Sequence, residues 1–150
     1  MMMNKFAITY DYINSNTKMS RPERLFQDEG YLLVVEKLPE NVHVESMMYE
    51  WVTFNLPGGR YTPDFLMRCS DRSEIYIEVK QENISKRGRA YRGQSYRDSR
   101  SKLRAAASLN PWHTFYMAIY SRGGWKIEYI EPDPFIYPTS IKVNGNGTIE

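Results

Sequence analysis

The chain has 150 residues, a formal net charge of +2 and one cysteine, Cys69. Charged residues at 25% and hydrophobic residues at 41% fit one folded domain, residues 1–150, large enough to bury a core. A single cysteine excludes an internal disulfide and fits a reducing cytoplasm, and with two histidines it leaves no four-ligand zinc site, so oxygen ligands would have to hold any metal.

The opening "MMMNKFAITYDY" lacks the charged start and long apolar segment of a signal peptide. No apolar stretch approaches the about 18 residues that a membrane span needs. A short strand is expected over 5–12. In "SRPERLFQDEGYLL", Ser20 is a good N-cap, Pro22 suits a first helical turn and Glu23 stands three residues after the serine. Leu25, Phe26, Leu32 and Leu33 supply that helix with a buried face, and Gly30 is a place for it to end or bend. Residues 42–56 are rich in aromatic and β-branched side chains and predict one or two strands, with Tyr49, Trp51 and Phe54 in the core.

"PGG" at 57–59 predicts a turn, followed by strands at about 61–68 and 74–80 and a basic loop over 81–95. A helix is expected from about Tyr96 to Leu109, stopped by Asn110 and Pro111. Two further strands, "HTFYMAIYS" and "WKIEYIE", are joined by "RGG", and a Pro- and Gly-rich tail begins at about 132. His43 and His113 lack a partner at telling spacing and read as structural. The order of elements predicts an α/β domain, a mixed sheet flanked by helices.

The chemistry concentrates in "YTPDFLMRCSDRSEIYIEVKQ". Period-2 alternation puts Ile75, Ile77 and Val79 on one strand face and Glu74, Tyr76, Glu78 and Lys80 on the other. An antiparallel pairing closed by a loop over 69–73 brings Asp64 to the height of Glu78. Two carboxylates and an ammonium at one end of a strand pair suit a hard divalent cation and a phosphodiester. Taken singly, Asp64 is also an ordinary turn residue after proline, and Glu78 and Lys80 an ordinary exposed pair.

"PDF" followed by "EVK", that is Pro63, Asp64, Glu78, Val79 and Lys80, resembles the PD-(D/E)XK nuclease superfamily. The context "YTPDF…EVK" is similar to phage junction-resolving endonuclease I and to the endonuclease subunit of heteromeric bacterial transposases. The likeness covers roughly residues 20–120 and is strongest over 61–80. It implies a restriction-endonuclease-like fold and Mg2+- or Mn2+-dependent hydrolysis of DNA, leaving a 5′-phosphate and a 3′-hydroxyl. Asp64, Glu78 and the Val79 carbonyl would bind metal, Lys80 would act on the nucleophile, and Gln81 is a possible accessory residue.

In the family a preceding helix carries a catalytic glutamate, and Glu23 is the matching position, also a metal ligand. A capping box explains Glu23 equally well, and Glu45 and Glu50 are alternatives for the third acid.

From Lys86 to Arg104 the chain carries eight basic residues (Lys86, Arg87, Arg89, Arg92, Arg97, Arg100, Lys102, Arg104) and one acid, Asp98, a net of +7 that leaves −5 elsewhere. This concentration marks a polyanion-binding segment, with Arg97, Arg100 and Arg104 on one helix face.

The expected function is a metal-dependent DNA endonuclease in the cytoplasm of a bacterial or phage-infected cell. It would be structure-selective, such as a Holliday-junction resolvase on branched or duplex DNA, and act as a homodimer. Two other readings stay open: a transposase-like or nicking subunit dependent on a protein partner, and a non-catalytic nucleic-acid-binding module.

Overall fold

A computed structural model describes residues 9–11 and 18–133. Its centre is a six-stranded mixed sheet built from β1 (Thr9–Asp11), β2 (Val44–Tyr49), β5 (Phe65–Cys69), β6 (Glu74–Gln81), β9 (Thr114–Ser121) and β10 (Gly124–Tyr129), in that spatial order. Two small ribbons stand apart from it, β3 (Phe54–Leu56) with β4 (Gly59–Tyr61) and β7 (Asn83–Ile84) with β8 (Ala90–Tyr91). The helices are α1 (Arg21–Leu25), α2 (Tyr31–Val35) and α3 (Gln94–Leu109). The expected α/β class is what the chain forms. Of the strand expected over 5–12, β1 is the part described, and the tail beyond 133 lies outside the described residues.

β6 lies in the middle of the sheet, antiparallel to β5 and parallel to β9, with α3 in the connection to β9. Its residues from Ile75 to Val79 are all buried, because both faces are covered. Ile75, Ile77 and Val79 pack with Phe26, Val34, Val35 and Phe65 on the side of α1 and α2. Tyr76 packs with Leu103, Ala106 and Phe115 on the side of α3. The face that carries Glu78 is therefore a second core layer.

The first helix differs in detail from expectation. Residues Phe26–Gly30 form a π-helical turn between α1 and α2, and the wider turn rotates the inward face. Phe26, Val34 and Val35 are buried, while Leu25, Leu32 and Leu33 are half-buried. The helix does not end at Gly30, because α2 follows it directly. Gly30 is a packing residue: a Cβ there would lie 2.9 Å from both the Phe26 and the Trp125 rings.

The expected strand over 61–68 is divided. Tyr61 ends β4, whereas Phe65 begins β5, and Thr62, Pro63 and Asp64 cross between the two. Two turns match their chemistry: Pro57–Gly58 closes the β3–β4 hairpin, and Arg122 (φ 43°) and Gly123 (φ 83°) close β9–β10 with left-handed residues. Trp51, expected in the core, is 55% exposed. The strand breaks before it at Glu50, whose φ is 48°, and the alternation that would have turned Trp51 inward does not continue.

Candidate active site

The β5–β6 register brings the quoted acids together. Phe65 pairs with Ile77, and one further step sets Asp64 opposite Glu78. β5 starts at Phe65, so nothing in the ladder meets Val79 on that side. The Asp64 Oδ2 fills the gap, accepting from the Val79 N–H at 2.7 Å. An extended residue points its N–H and its C=O to the same side, so the Val79 carbonyl opens toward the same end of the sheet.

Three carboxylates meet at this end. Glu23 from α1, Glu50 after β2 and Asp64 before β5 each place an oxygen within 4.8 Å of the others. Glu50 is held there by its backbone, its N–H donating to the Asp64 carbonyl at 2.8 Å. Glu23 caps α1 with one oxygen only: the Ser20 hydroxyl donates to its Oε1 at 2.7 Å and accepts from its N–H at 3.4 Å. The other oxygen, Oε2, is buried and has no hydrogen-bond partner among the described residues. Capping thus accounts for half of this carboxylate, and the other half is an orphan beside two more acids.

Of the alternatives for the third acid, Glu50 joins Glu23 and Asp64. Glu45 does not. It lies toward the other end of β2, with its side chain exposed and 4.0 Å from His43.

Glu78 is buried at 6% exposure. Its Oε1 accepts from the Tyr61 hydroxyl at 2.5 Å, and its Oε2 lies 3.9 Å from the Lys80 ammonium. Lys80 in turn donates to Ser95 Oγ, in the first turn of α3, at 3.1 Å. Gln81, next along β6, is exposed.

Burial holds the Asp64 carboxyl well above its usual range, with the Glu78 and Glu23 charges adding and the Val79 N–H and Lys80 opposing. Burial also raises Glu78, against the Tyr61 hydroxyl and Lys80. The Tyr61 hydroxyl is raised by burial and by Glu78, so it remains a donor. Burial, with the carboxylates of Glu23 and Glu50 adding, raises Tyr49 in the same sense.

A divalent cation fits this donor set. The orphaned Glu23 oxygen, the proximity of three carboxylates and the raised Asp64 describe negative charge without its counterion. Glu23, Glu50 and Asp64 are the residues that would hold it, with the Val79 carbonyl on the same side.

The basic residues divide into two groups. Arg100 is paired with Glu128 at 2.7 Å and Arg92 with the same acid at 3.5 Å. Arg104 meets Asp133 at 3.5 Å, and Arg97 bonds Gln94 and the Arg92 carbonyl. The face of α3 expected to be a phosphate-binding stripe is largely taken up by internal partners: Arg100 holds Glu128 of β10, Arg104 holds Asp133 beyond it, and Arg97 bonds the start of its own helix. Lys86, Arg87 and Arg89 stand exposed on the β7–β8 ribbon, and Lys102 is exposed on α3.

Three residues of the site were not singled out by their types. Tyr61 stands in the quoted motif but ends β4 rather than beginning the strand expected over 61–68, and Tyr49 packs against the core as expected while also facing Glu23 and Glu50. Ser95 gave no signal, because its role depends on where α3 begins.

No family model and no curated protein matches the chain. A solved structure titled "Crystal structure of SSO0001" resembles it over 75% of its length at 19% identity, with a TM-score of 0.34, and the matched region spans 54% of that chain. A likeness of that size carries no argument about fold or function.

Proposed function

We propose that this chain is a metal-dependent DNA endonuclease that hydrolyses phosphodiester bonds. The observation that carries the reading is the convergence of Glu23, Glu50 and Asp64 at the end of the sheet where Glu78 and Lys80 also lie. Grouping the partly buried Glu23 and Asp64 with Glu50, and without a counterion, is costly. A bound Mg2+ or Mn2+ would supply charge neutralisation at the phosphoryl oxygens and a more acidic water.

The chain's own residues would do the rest. The Val79 N–H fixes the Asp64 carboxylate in one orientation. The Tyr61 hydroxyl holds Glu78, and Ser95 and Glu78 hold the Lys80 ammonium, which is then placed to orient the nucleophilic water or to stabilise charge developing on the phosphate. Of the metal ligands the PD-(D/E)XK resemblance implies, Asp64 and Glu23 lie in the carboxylate cluster, whereas Glu78 does not: its oxygens face Tyr61 and Lys80, and Glu50 stands as the third acid.

Cleavage is tested on branched, linear duplex and single-stranded DNA with Mg2+, with Mn2+ and with EDTA, using wild type, Asp64→Asn and Lys80→Ala. Cleavage that needs metal and is lost in both variants supports the reading. Failure of the wild type on every substrate, or equal cutting by the variants, overturns it. Preference for four-way junctions by the protein alone would assign it the resolvase role rather than that of a partner-dependent subunit.

A further inference from the structure

One cleft outside the acidic cluster combines cationic and apolar walls. It measures about 220 Å3 and lies between the β3–β4 hairpin and α3, where Leu56, Gly58, Gly59, Arg60, Lys102 and Ala105 line it. Both of its charged side chains are cations, and no acid lines it. Neither has an ion-pair partner among the described residues, in contrast to Arg92, Arg100 and Arg104. The acid one helical turn before Lys102, Asp98, accepts from Gln94 instead. A Cβ placed on Gly58 or Gly59 would meet nothing within 4 Å, so the turn leaves open space over its backbone.

Along the chain, both walls of the cleft adjoin elements that carry the candidate active site. Arg60 immediately precedes Tyr61, whose hydroxyl holds Glu78. On the opposite wall, Lys102 follows Ser95, the partner of Lys80, by two turns of α3, about 10 Å.

We infer that this cleft is a nucleic-acid backbone subsite, in which Arg60 and Lys102 take a phosphate beyond the scissile one and Leu56, Ala105 and the Gly58–Gly59 turn receive the adjoining sugar. The inference rests on the nucleic-acid reading above, and it moves the phosphate contacts of α3 from its internally paired arginines to Lys102 and a residue of the β3–β4 hairpin. Two cations without acids select a polyanion, and the apolar floor suits a sugar better than an acidic peptide.

Binding of a fluorescein-labelled DNA duplex is measured by anisotropy in EDTA, where metal-dependent hydrolysis is off, between about 50 and 200 mM salt. Wild type is compared with Arg60→Gln, Lys102→Gln and, as a remote control, Arg72→Gln in the loop at the far end of β5–β6. These side chains are exposed, and unchanged melting temperatures verify that the variants fold. Arg60→Gln and Lys102→Gln are each expected to lower the slope of log affinity against log salt by about 1, with Arg72→Gln unchanged.

Unchanged slopes in the first two variants, no DNA binding at all, or equal competition by polyglutamate would each overturn the cleft assignment. Cleavage is scored separately. Altered slopes in a protein that never cuts would keep the subsite and remove the nuclease reading, whereas cutting with unaltered slopes would do the reverse.

Discussion

The Val79 N–H donates to the Asp64 carboxylate at 2.7 Å, where the next ladder bond between β5 and β6 would otherwise fall. The side chain just before β5 thereby completes the backbone pairing of β6 and is fixed in orientation by it. One Asp64 oxygen is used in this way, and the carboxyl also meets that of Glu78. Glu23 has one oxygen on Ser20 and the other without a hydrogen-bond partner among the described residues.

Removing one of the three clustered carboxylates should therefore weaken cation binding more than it weakens the fold. Titration calorimetry with Mn2+ is expected to show at least about a tenfold loss of affinity, about 1.4 kcal/mol, for Glu23→Gln, Glu50→Gln and Asp64→Asn. Glu45→Gln, away from the cluster, should bind as wild type does. Wild-type affinity in Glu50→Gln would remove that residue from the ligand set.

The acids also set the pH dependence of stability, with a sign opposite to that of an ordinary salt-bridged carboxylate. The folded-state pKa values of Asp64 and Glu78 are raised, so the native protein binds protons more tightly than the unfolded chain. Stability is then greatest at acidic pH and declines as pH rises above the ordinary carboxylate range, about 4. Metal must displace those protons, so the stabilisation it brings should increase with pH. Melting temperatures with EDTA are expected to fall between pH 5.5 and 8, and the rise on adding Mn2+ to be larger at pH 8. In Asp64→Asn both effects should shrink, and a metal-free wild type that melts higher at pH 8 would contradict the sign.

Tyr61 links the site to the β3–β4 hairpin. Tyr61→Phe keeps the ring but leaves Glu78 Oε1 buried without its donor, a loss of about 1–3 kcal/mol in urea unfolding. The hydroxyl lowers the Glu78 pKa, so its removal should also move the acid limb of the cleavage pH profile upward. A destabilised variant with an unmoved acid limb would show that Tyr61 acts on the fold alone.

Much of this was legible in the sequence because it followed from local periodicity. The β6 alternation, the loop over 69–73 and the pairing of Asp64 with Glu78 all descend from a period of two and one turn. What was not legible depended on departures from period. The π-helical turn at Phe26–Gly30 moved the buried face to Val34 and Val35, and the left-handed Glu50 broke β2 before Trp51. Glu50 stood among three alternatives because its place beside Asp64 is set by a backbone contact between distant segments. The pairing of α3 arginines with Glu128 and Asp133 likewise depends on where β10 and the residues after it lie against α3, which charge counting does not contain.

Trp51 tests the second of these departures. A core tryptophan truncated to alanine would lose about 3–5 kcal/mol. At 55% exposure, Trp51→Ala is expected to stay within about 0.5 kcal/mol of wild type in urea unfolding. Phe54→Ala, which loses ring contacts with Tyr76 and Phe115, should be clearly destabilised in the same experiment. A large loss for Trp51→Ala would return that residue to the core.

Gly30 offers a reversal of the usual helix rule. Gly→Ala within a helix ordinarily stabilises by about 0.5–1 kcal/mol, through lower backbone entropy in the unfolded chain. Here the backbone φ is −62°, so alanine meets no conformational penalty, yet its Cβ would fall 2.9 Å from the rings of Phe26 and Trp125. Phe26 also touches Phe65, so it cannot retreat without disturbing the start of β5, and Trp125 is packed against Tyr120 on its other side. Overpacking of this kind costs about 1–3 kcal/mol, and Gly30→Ala should therefore lower the urea midpoint. Because Phe65 adjoins Asp64, Mn2+ affinity should fall with it. A stabilised Gly30→Ala protein would show that the π-helical turn yields to the added methyl group.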